Sequence, residues 1–245
     1  MNEVIHLSKD GAVATVILED RESKNTFSHK FITEIISVFE DIQKDQDIKV
    51  VIVHGYDNYF CCGGTKEELL KINSGATQFT DLNFYDLLLR CEIPVISAMQ
   101  GHSLGGGLAF GSYADVLILS EESIYSANFM KYGFTPGMGA NLIIPTKFGE
   151  VLGREMLMSA ATYYGKELKE MGAPLRIVKK QEVLLLARKL AVKLADKPRL
   201  SLMTLKKFLN RKIQKELPKI IEAELAMHKI TFSQPEVRER INKLY

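Results

Sequence analysis

Two glycine-rich turns are the places in this 245-residue chain where the backbone itself could do chemistry. One is Phe60-Cys61-Cys62-Gly63-Gly64-Thr65, after the apolar run KVVIVH at 49–54. The other is Gly101-His102-Ser103-Leu104-Gly105-Gly106-Gly107, after the run at 95–99. Consecutive glycines at a strand-to-helix turn let a ligand approach closely. They also leave amides pointing outward at a helix N-terminus, where negative charge is stabilised. Neither turn is a phosphate-binding P-loop, because no Lys-Ser or Lys-Thr follows, and Gly105 onward does not fit the GxGxxG dinucleotide fingerprint. One such cluster alone is equally well a tight turn. Two at the carboxyl ends of neighbouring parallel strands fall where α/β folds bind their ligands.

The elements that must hold these turns are legible in the apolar pattern. Residues 4–7 and 12–18 are short β-branched runs punctuated by Gly11. Phe31, Ile35, Val38, Phe39 and Ile42 recur at helical spacing, with Ser28 placed to cap the helix. The runs at 49–54, 95–99 and 116–119 are nearly continuous, as in strands buried on both faces. Strand, glycine turn, helix and strand between 95 and 119 make a βαβ unit, so the sheet is expected to be largely parallel. After residue 146 convincing strand runs disappear, and 183–194, 200–210 and 217–232 read as helices. The expected organisation is an α/β core over 1–190 and a helical region over 191–245.

Composition narrows the setting. Hydrophobic residues make up 46% and charged residues 25%, ordinary values that exclude disordered, collagenous and disulfide-scaffold proteins. No signal-peptide pattern opens the chain, and no run reaches the roughly 18 apolar residues of a membrane span. Cys61, Cys62 and Cys91 have neither metal-ligand nor disulfide-framework spacing. The expectation is a cytoplasmic protein with reduced thiols and no metal, acting on neither membrane nor nucleic acid. The net charge of +2 conceals an asymmetry. Residues 1–146 hold 10 Lys/Arg against 19 Asp/Glu, a net of −9, and residues 147–245 hold 22 against 11, a net of +11. A solvated lysine-rich surface accounts for such a split; so does an anionic partner.

Taken in order, YFCCGG, IPVISAMQGHSLGGG, the Ala-Asp-Val at 114–116 and GFTPGMG at 133–139 resemble the crotonase (enoyl-CoA hydratase/isomerase) superfamily over most of the chain. The resemblance implies a ββα-spiral core with a helical C-terminal region, assembled as a homotrimer or a dimer of trimers. It also implies an oxyanion hole of two backbone amides gripping a thioester carbonyl. By motif position these are Gly64 and Gly106. Such a pair stabilises an enolate oxygen more than the ground-state carbonyl.

Departures from the family pattern are equally informative. Hydratases of the family carry catalytic glutamates at positions that here are Ala109 and Phe129. Neither side chain can move a proton, and positioned acid/base groups are worth about 10² to 10⁴ in rate. An oxyanion hole without those glutamates suits a reaction whose carbanion arises without a base, and decarboxylation is such a reaction. Within the superfamily, ANFMKYGFTPGMG together with CEIPVISAMQGHS resembles the decarboxylases of polyketide β-branching cassettes. These convert a 3-methylglutaconyl thioester on an acyl carrier protein to the 3-methylcrotonyl thioester. The resemblance implies no cofactor, only a phosphopantetheine or coenzyme A thioester as the substrate's handle. It places a histidine at His228. The tyrosine and lysine that some relatives use fall here on Glu68 and Ile72, leaving neighbouring Lys71 as the substitute. Substrate contacts are expected from Cys62, Gly63, His102, Leu104, Gly105, Phe129, Met130, Tyr132 and Pro136. Lys206, Lys207, Arg211, Lys212, Lys215 and Lys219 form the expected carrier-protein face. Two other readings stay open: an isomerase or hydratase using Glu68 or another carboxylate, and a thioester-binding subunit without turnover.

Overall fold

The structure is a computed structural model that describes residues 3–81 and 83–245. β1 (Ile5–Asp10) and β2 (Val13–Leu18) pair antiparallel across Gly11, and alternate residues of β2, namely Ala14, Val16 and Leu18, are buried. α1 (His29–Lys44) begins at Ser28, whose hydroxyl accepts the Phe31 amide at 3.1 Å. It turns Phe31, Ile32, Ile35, Phe39 and Ile42 inward. β3 (Val50–His54), β4 (Tyr59–Cys61), α2 (Lys66–Asn73) and the short α3 (Leu87–Arg90) follow. β5 (Val95–Met99), β6 (His102–Leu104), α4 (Gly106–Ser112), β7 (Val116–Ser120) and β8 (Ile124–Ser126) come next. A 3₁₀ turn at Asn128–Tyr132 leads to α5 (Ala140–Phe148), α6 (Glu150–Ser159), β9 (Tyr163–Tyr164), α7 (Gly165–Glu170) and β10 (Arg176–Val178). The chain ends with α8 (Lys180–Ala195), α9 (Arg199–Thr231) and α10 (Pro235–Leu244).

The strands form a six-stranded sheet of order β1-β2-β3-β5-β7-β10 and a four-stranded sheet of order β4-β6-β8-β9. Within the larger sheet every pair beyond β1–β2 is parallel. Three times the chain runs a strand in the large sheet, a strand in the small sheet and then helix: β3–β4–α2, β5–β6–α4, and β7–β8 into the 3₁₀ turn. This is the ββα spiral. The main core lies between the large sheet and α1, α4 and α5. The sheet's other face, with Val50, Ile52, Ile96, Ala98 and Ile118, is covered by Val183, Ala187 and Ala191 of α8.

Four points differ from the sequence reading. β6 lies inside what reads as a turn, because three residues between glycines are too few to display a period. β9 and β10, of two and three residues, lie beyond residue 146 and are likewise too short to display a period. A boundary at residue 190 falls within α8, which packs on β3, β5 and β7 and so belongs to the core. The helices read at 200–210 and 217–232 are one 33-residue helix, α9, with Pro218 inside it. Pro218 removes one helical hydrogen bond. The inward-facing series Leu202, Lys206, Asn210, Leu217, Ile221, Glu224 and His228 nevertheless runs through it on a single face.

Candidate active site

Each glycine turn is shaped by a contact that its residue types permit. Gly105 has φ +52°, in the left-handed region open to glycine, and its amide donates to Ser126 O at 2.7 Å. Gly107 lies so close to the Cys61 carbonyl that a side chain there would collide with backbone. The two turns therefore interlock. A Cβ placed on Gly63 would lie 2.9 Å from Leu104 O and 3.3 Å from Gly106 N. The Gly64 amide has no hydrogen-bond partner among the described residues. Gly106 opens α4, so its amide is one that no helical turn satisfies. Thr65 caps α2, its hydroxyl accepting the Glu68 amide at 3.1 Å, and the Tyr245 hydroxyl donates to Gly64 O at 2.6 Å.

A cavity of about 170 Å³ opens at these turns. Its walls are mainly apolar, from Phe27, Leu69, Ile72, Phe84, Phe129 and Met138 among others. Of the residues read from the sequence, Gly64, Gly106, His228, Cys62, Gly63, Gly105, Phe129 and Tyr132 line it together. Ala109 is fully buried behind the second turn.

His228 comes from α9 and is 9% exposed. Its ring packs edgewise on Phe79, with Phe134 and Phe232 alongside. Nε2 lies 2.8 Å from Thr135 O; a carbonyl only accepts, so Nε2 carries the proton and Nδ1 is left as an acceptor. Burial holds the imidazole below its usual pKa, against the opposing effect of the Thr135 and Pro136 backbone. In the free protein the ring is therefore neutral near pH 7.

Other expected site residues are placed elsewhere. Lys71 is exposed and pairs with Glu68 at 2.6 Å; it does not line the cavity. The His102 ring stands against Tyr59, and its Nδ1 accepts the Ile124 amide at 3.1 Å, away from the cavity. Leu104 and Pro136 are not on the cavity wall, and Met130 is 40% exposed. Lys206 is not on the surface at all. It is 5% exposed, donates to Leu88 O and Ile93 O at 3.0 Å each, and pairs with Asp115 at 2.8 Å. Asn210 donates to the same carboxylate at 2.9 Å, which pins α9 to the core. Lys207, Arg211, Lys212, Lys215 and Lys219 are exposed.

Several wall residues escape the sequence reading. Asn128 faces Gly105, and Thr77, Gln78, Asp81 and Tyr245 complete the polar part of the lining. Asn128 could have been found as the neighbour of Phe129 in the motif. The segment around 77–81 carries no period and no motif. Burial pushes the Cys62 thiol up to about 11, so it is a wall and not a nucleophile. Two carboxylates stand at the rim, each engaged: Glu68 with Lys71, and Asp81 accepting the Gln78 amide at 2.8 Å. Among the described residues no group of three His, Cys, Asp or Glu side chains is placed to hold a metal ion, and no helix is long and apolar enough to cross a membrane.

A family model for enoyl-CoA hydratase/isomerase matches residues 8–244. The chain belongs to that family. Over 236 residues it is 51% identical to the bacillaene synthase decarboxylase PksI of Bacillus subtilis, covering 96% of this chain and 95% of the relative. A solved structure described as part of a dehydratase/decarboxylase enzyme couple involved in polyketide beta-branching matches with TM-score 0.97 and 50% identity over 99% of both chains. The ECH2 decarboxylase domain of CurF from Lyngbya majuscula matches with TM-score 0.95 and 43% identity over the full length of both. Against the probable mitochondrial enoyl-CoA hydratase of Dictyostelium discoideum the identity is 27% over 236 residues. In this chain Gly64, Gly106 and Phe129 line one cavity, with Ala109 buried behind it.

Proposed function

We propose that the protein is a decarboxylase that removes CO₂ from a 3-methylglutaconyl-type thioester carried on an acyl carrier protein, in polyketide β-branch formation. One observation carries this reading. The interlocked Gly64 and Gly106 turns line an apolar cavity with Phe129 on its wall and Ala109 buried behind it, the two positions at which the family's hydratases carry glutamates. The thioester oxygen accepts from both amides. The bond to the carboxylate carbon breaks, CO₂ leaves, and the electron pair delocalises into a dienolate whose charge rests on the held oxygen. Apolar walls favour a step in which a carboxylate is lost.

His228 supports the last step. The substrate's carboxylate brings an opposite charge to a neutral imidazole, which raises its pKa and draws a proton onto Nδ1. Once CO₂ has left, that proton is delivered to the dienolate carbon and the ring returns to its neutral form. Relatives named as decarboxylases at 51% and 43% identity support the reaction class. The net charge of +11 over 147–245 supports an acidic carrier protein as the handle, with Lys207, Arg211, Lys212 and Lys215 as its contacts. The same reading includes assembly as a homotrimer or dimer of trimers.

Incubation with 3-methylglutaconyl thioester, followed by product mass and CO₂ release, tests the proposal. The expected product is the 3-methylcrotonyl thioester; unchanged or hydrated substrate overturns it. Glu68 lines the cavity, which gives the isomerase or hydratase reading its one observation. Crotonyl thioester hydration or double-bond migration that disappears in Glu68→Gln would favour that alternative.

A further inference from the structure

The Gly64 turn lacks the packing that holds its counterpart. A Cβ built on Gly106 would crowd Met138 and Phe27, whereas one on Gly64 meets only Leu69 within 4 Å. Sterics therefore leave the direction of the Gly64 amide free, and hydrogen bonds on the two peptides that flank Gly64 must set it. In a trans peptide the C=O and N–H point to opposite sides. The Gly63 carbonyl accepts the Phe27 amide at 2.8 Å, which fixes the first peptide and turns its Gly64 N–H the other way. The Gly64 carbonyl, in the second peptide, accepts the Tyr245 hydroxyl at 2.6 Å. Among the described residues no other donor reaches that carbonyl.

Tyr245 is itself firmly seated. α10, just before it, buries Val237 and Ile241 and packs on α2 and on the 3₁₀ turn at Asn128–Tyr132. Lys66 Nζ donates to Asn242 O at 3.4 Å, and Arg240 Nη1 to Lys131 O at 3.3 Å. The Tyr245 ring, half exposed, stands in the cavity wall 6.3 Å from the Tyr132 ring. Tyr132 stacks on Phe134 and Phe134 on Phe232, the two rings beside His228. One row of aromatic rings thus joins the Gly64 turn to the histidine. Partial burial raises the pKa of the Tyr245 phenol, so the hydroxyl keeps its proton and remains a donor near neutral pH.

We infer that Tyr245 is a positioning residue of the oxyanion hole: its hydroxyl fixes the Gly64–Thr65 peptide and, through it, the aim of the Gly64 amide. The inference rests on the decarboxylase reading of this site. Loss of the hydroxyl frees the second peptide to rotate about a glycine that nothing else restrains. The amide then spends less time directed at the thioester oxygen, which matters most when that oxygen carries the dienolate charge.

Tyr245→Phe keeps the ring and removes the donor, and it is assayed beside the parent protein with 3-methylglutaconyl pantetheine thioester. Its kcat is expected to fall about tenfold, part of the 10² to 10³ that loss of a whole oxyanion donor costs, with KM held within about twofold. A second readout needs no turnover. Parent and variant are titrated by calorimetry with the 3-methylcrotonyl pantetheine thioester and with its thioether analogue, in which a methylene replaces the carbonyl. The thioester-to-thioether affinity ratio is expected to fall roughly threefold in Tyr245→Phe, because only the thioester uses the Gly64 amide. Lys66→Met, which removes the bond to Asn242 and leaves Tyr245 on Gly64, is expected to keep the parent ratio. An equal loss for both ligands, a ratio that falls as far in Lys66→Met, or a kcat for Tyr245→Phe within twofold of the parent overturns the role. Should neither protein release CO₂ while the ratio still falls in Tyr245→Phe alone, the decarboxylase reading fails and the positioning role stands. Release of CO₂ at equal rates with equal ratios has the opposite meaning.

Discussion

At the scale of single residues, the two proposed oxyanion positions are not equivalent. A Cβ on Gly106 would lie 2.8 Å from Met138 Sδ and 2.9 Å from Phe27 Cε2, whereas one on Gly64 first meets Leu69 Cδ2 at an ordinary 3.4 Å. Gly64→Ala is therefore expected to keep kcat within about threefold. Gly106→Ala displaces the turn that aims its amide, and loss of one such donor costs about 10² to 10³ in kcat. Single-turnover rates on both variants check the difference. His228 gives a second prediction. Burial lowers its pKa in the free protein, so kcat/KM falls as pH rises through a value below the usual histidine range. The bound carboxylate raises that pKa, so kcat holds to a higher pH than kcat/KM. In His228→Gln the separation between the two profiles is expected to vanish, with kcat reduced roughly 10²-fold or more. Coincident profiles in the parent protein would remove His228 from proton delivery. Residue types and motif order single out Gly64, Gly106 and His228, which the fold brings to one cavity. Lys71 is not brought there, because adjacent positions on a helix lie about 100° apart and Lys71 turns to solvent while Ile72 turns inward.

Elements read well from the sequence where a period is long and poorly where it is short. α1 and the buried strands β3, β5 and β7 follow directly from apolar spacing, and those strands pair parallel as a βαβ unit requires. The small sheet β4-β6-β8-β9 was hidden, since its strands are only two or three residues long, too short to display a period. The continuity of α9 was hidden by Pro218, whose local cost is outweighed by one long buried face. That face also carries polar residues that act as fasteners. Glu224, fully buried one turn before His228, accepts from Gly139 N at 2.7 Å and from Asn141 N and Nδ2 at 3.1 and 2.8 Å. It thereby closes the N-terminus of α5 and ties α9 to the segment 135–141 that holds the histidine. Burial pushes its carboxyl up to about 7, more than its amide partners pull it down. A carboxyl raised in the folded state binds its proton more tightly there than in the unfolded chain, where the pKa is about 4.3. Its contribution to stability is thus greatest at acid pH and is lost as pH rises from about 4.3 through 7, by an amount on the order of 3 kcal/mol. Denaturant midpoints of Glu224→Gln at pH 5 and pH 7 are expected to differ less than those of the parent protein, and the variant to be less stable at pH 5 by about 1–3 kcal/mol.

For the molecule as a whole, the informative quantity is the placement of charge rather than its total. The acidic portion, residues 1–146, contains both glycine turns and most of the large sheet, and the basic excess belongs largely to α8, α9 and α10. Part of that excess is structural, as Lys206 demonstrates by its burial against Asp115. The remainder on α9 is solvent-facing, and its basic residues are interleaved with Leu205, Phe208 and Leu209, which are 55, 70 and 65% exposed. From Lys215 to His228 the helix rises about 20 Å. A handle bound by these cations must therefore bridge that span to reach the cavity, as an extended prosthetic arm would. Long-range attraction of this kind acts mainly on encounter and is screened over about 10 Å at 0.1 M salt. Raising salt from 50 to 300 mM is expected to lower kcat/KM for a carrier-protein substrate at least fivefold, to leave its kcat within twofold, and to change a pantetheine thioester little. Lys207→Glu combined with Arg211→Glu is expected to reproduce the high-salt value at low salt. Equal efficiency for carrier-protein and coenzyme A substrates at both ionic strengths would instead make the basic face of α9 a solvated surface, with recognition confined to the pantetheine and the acyl group.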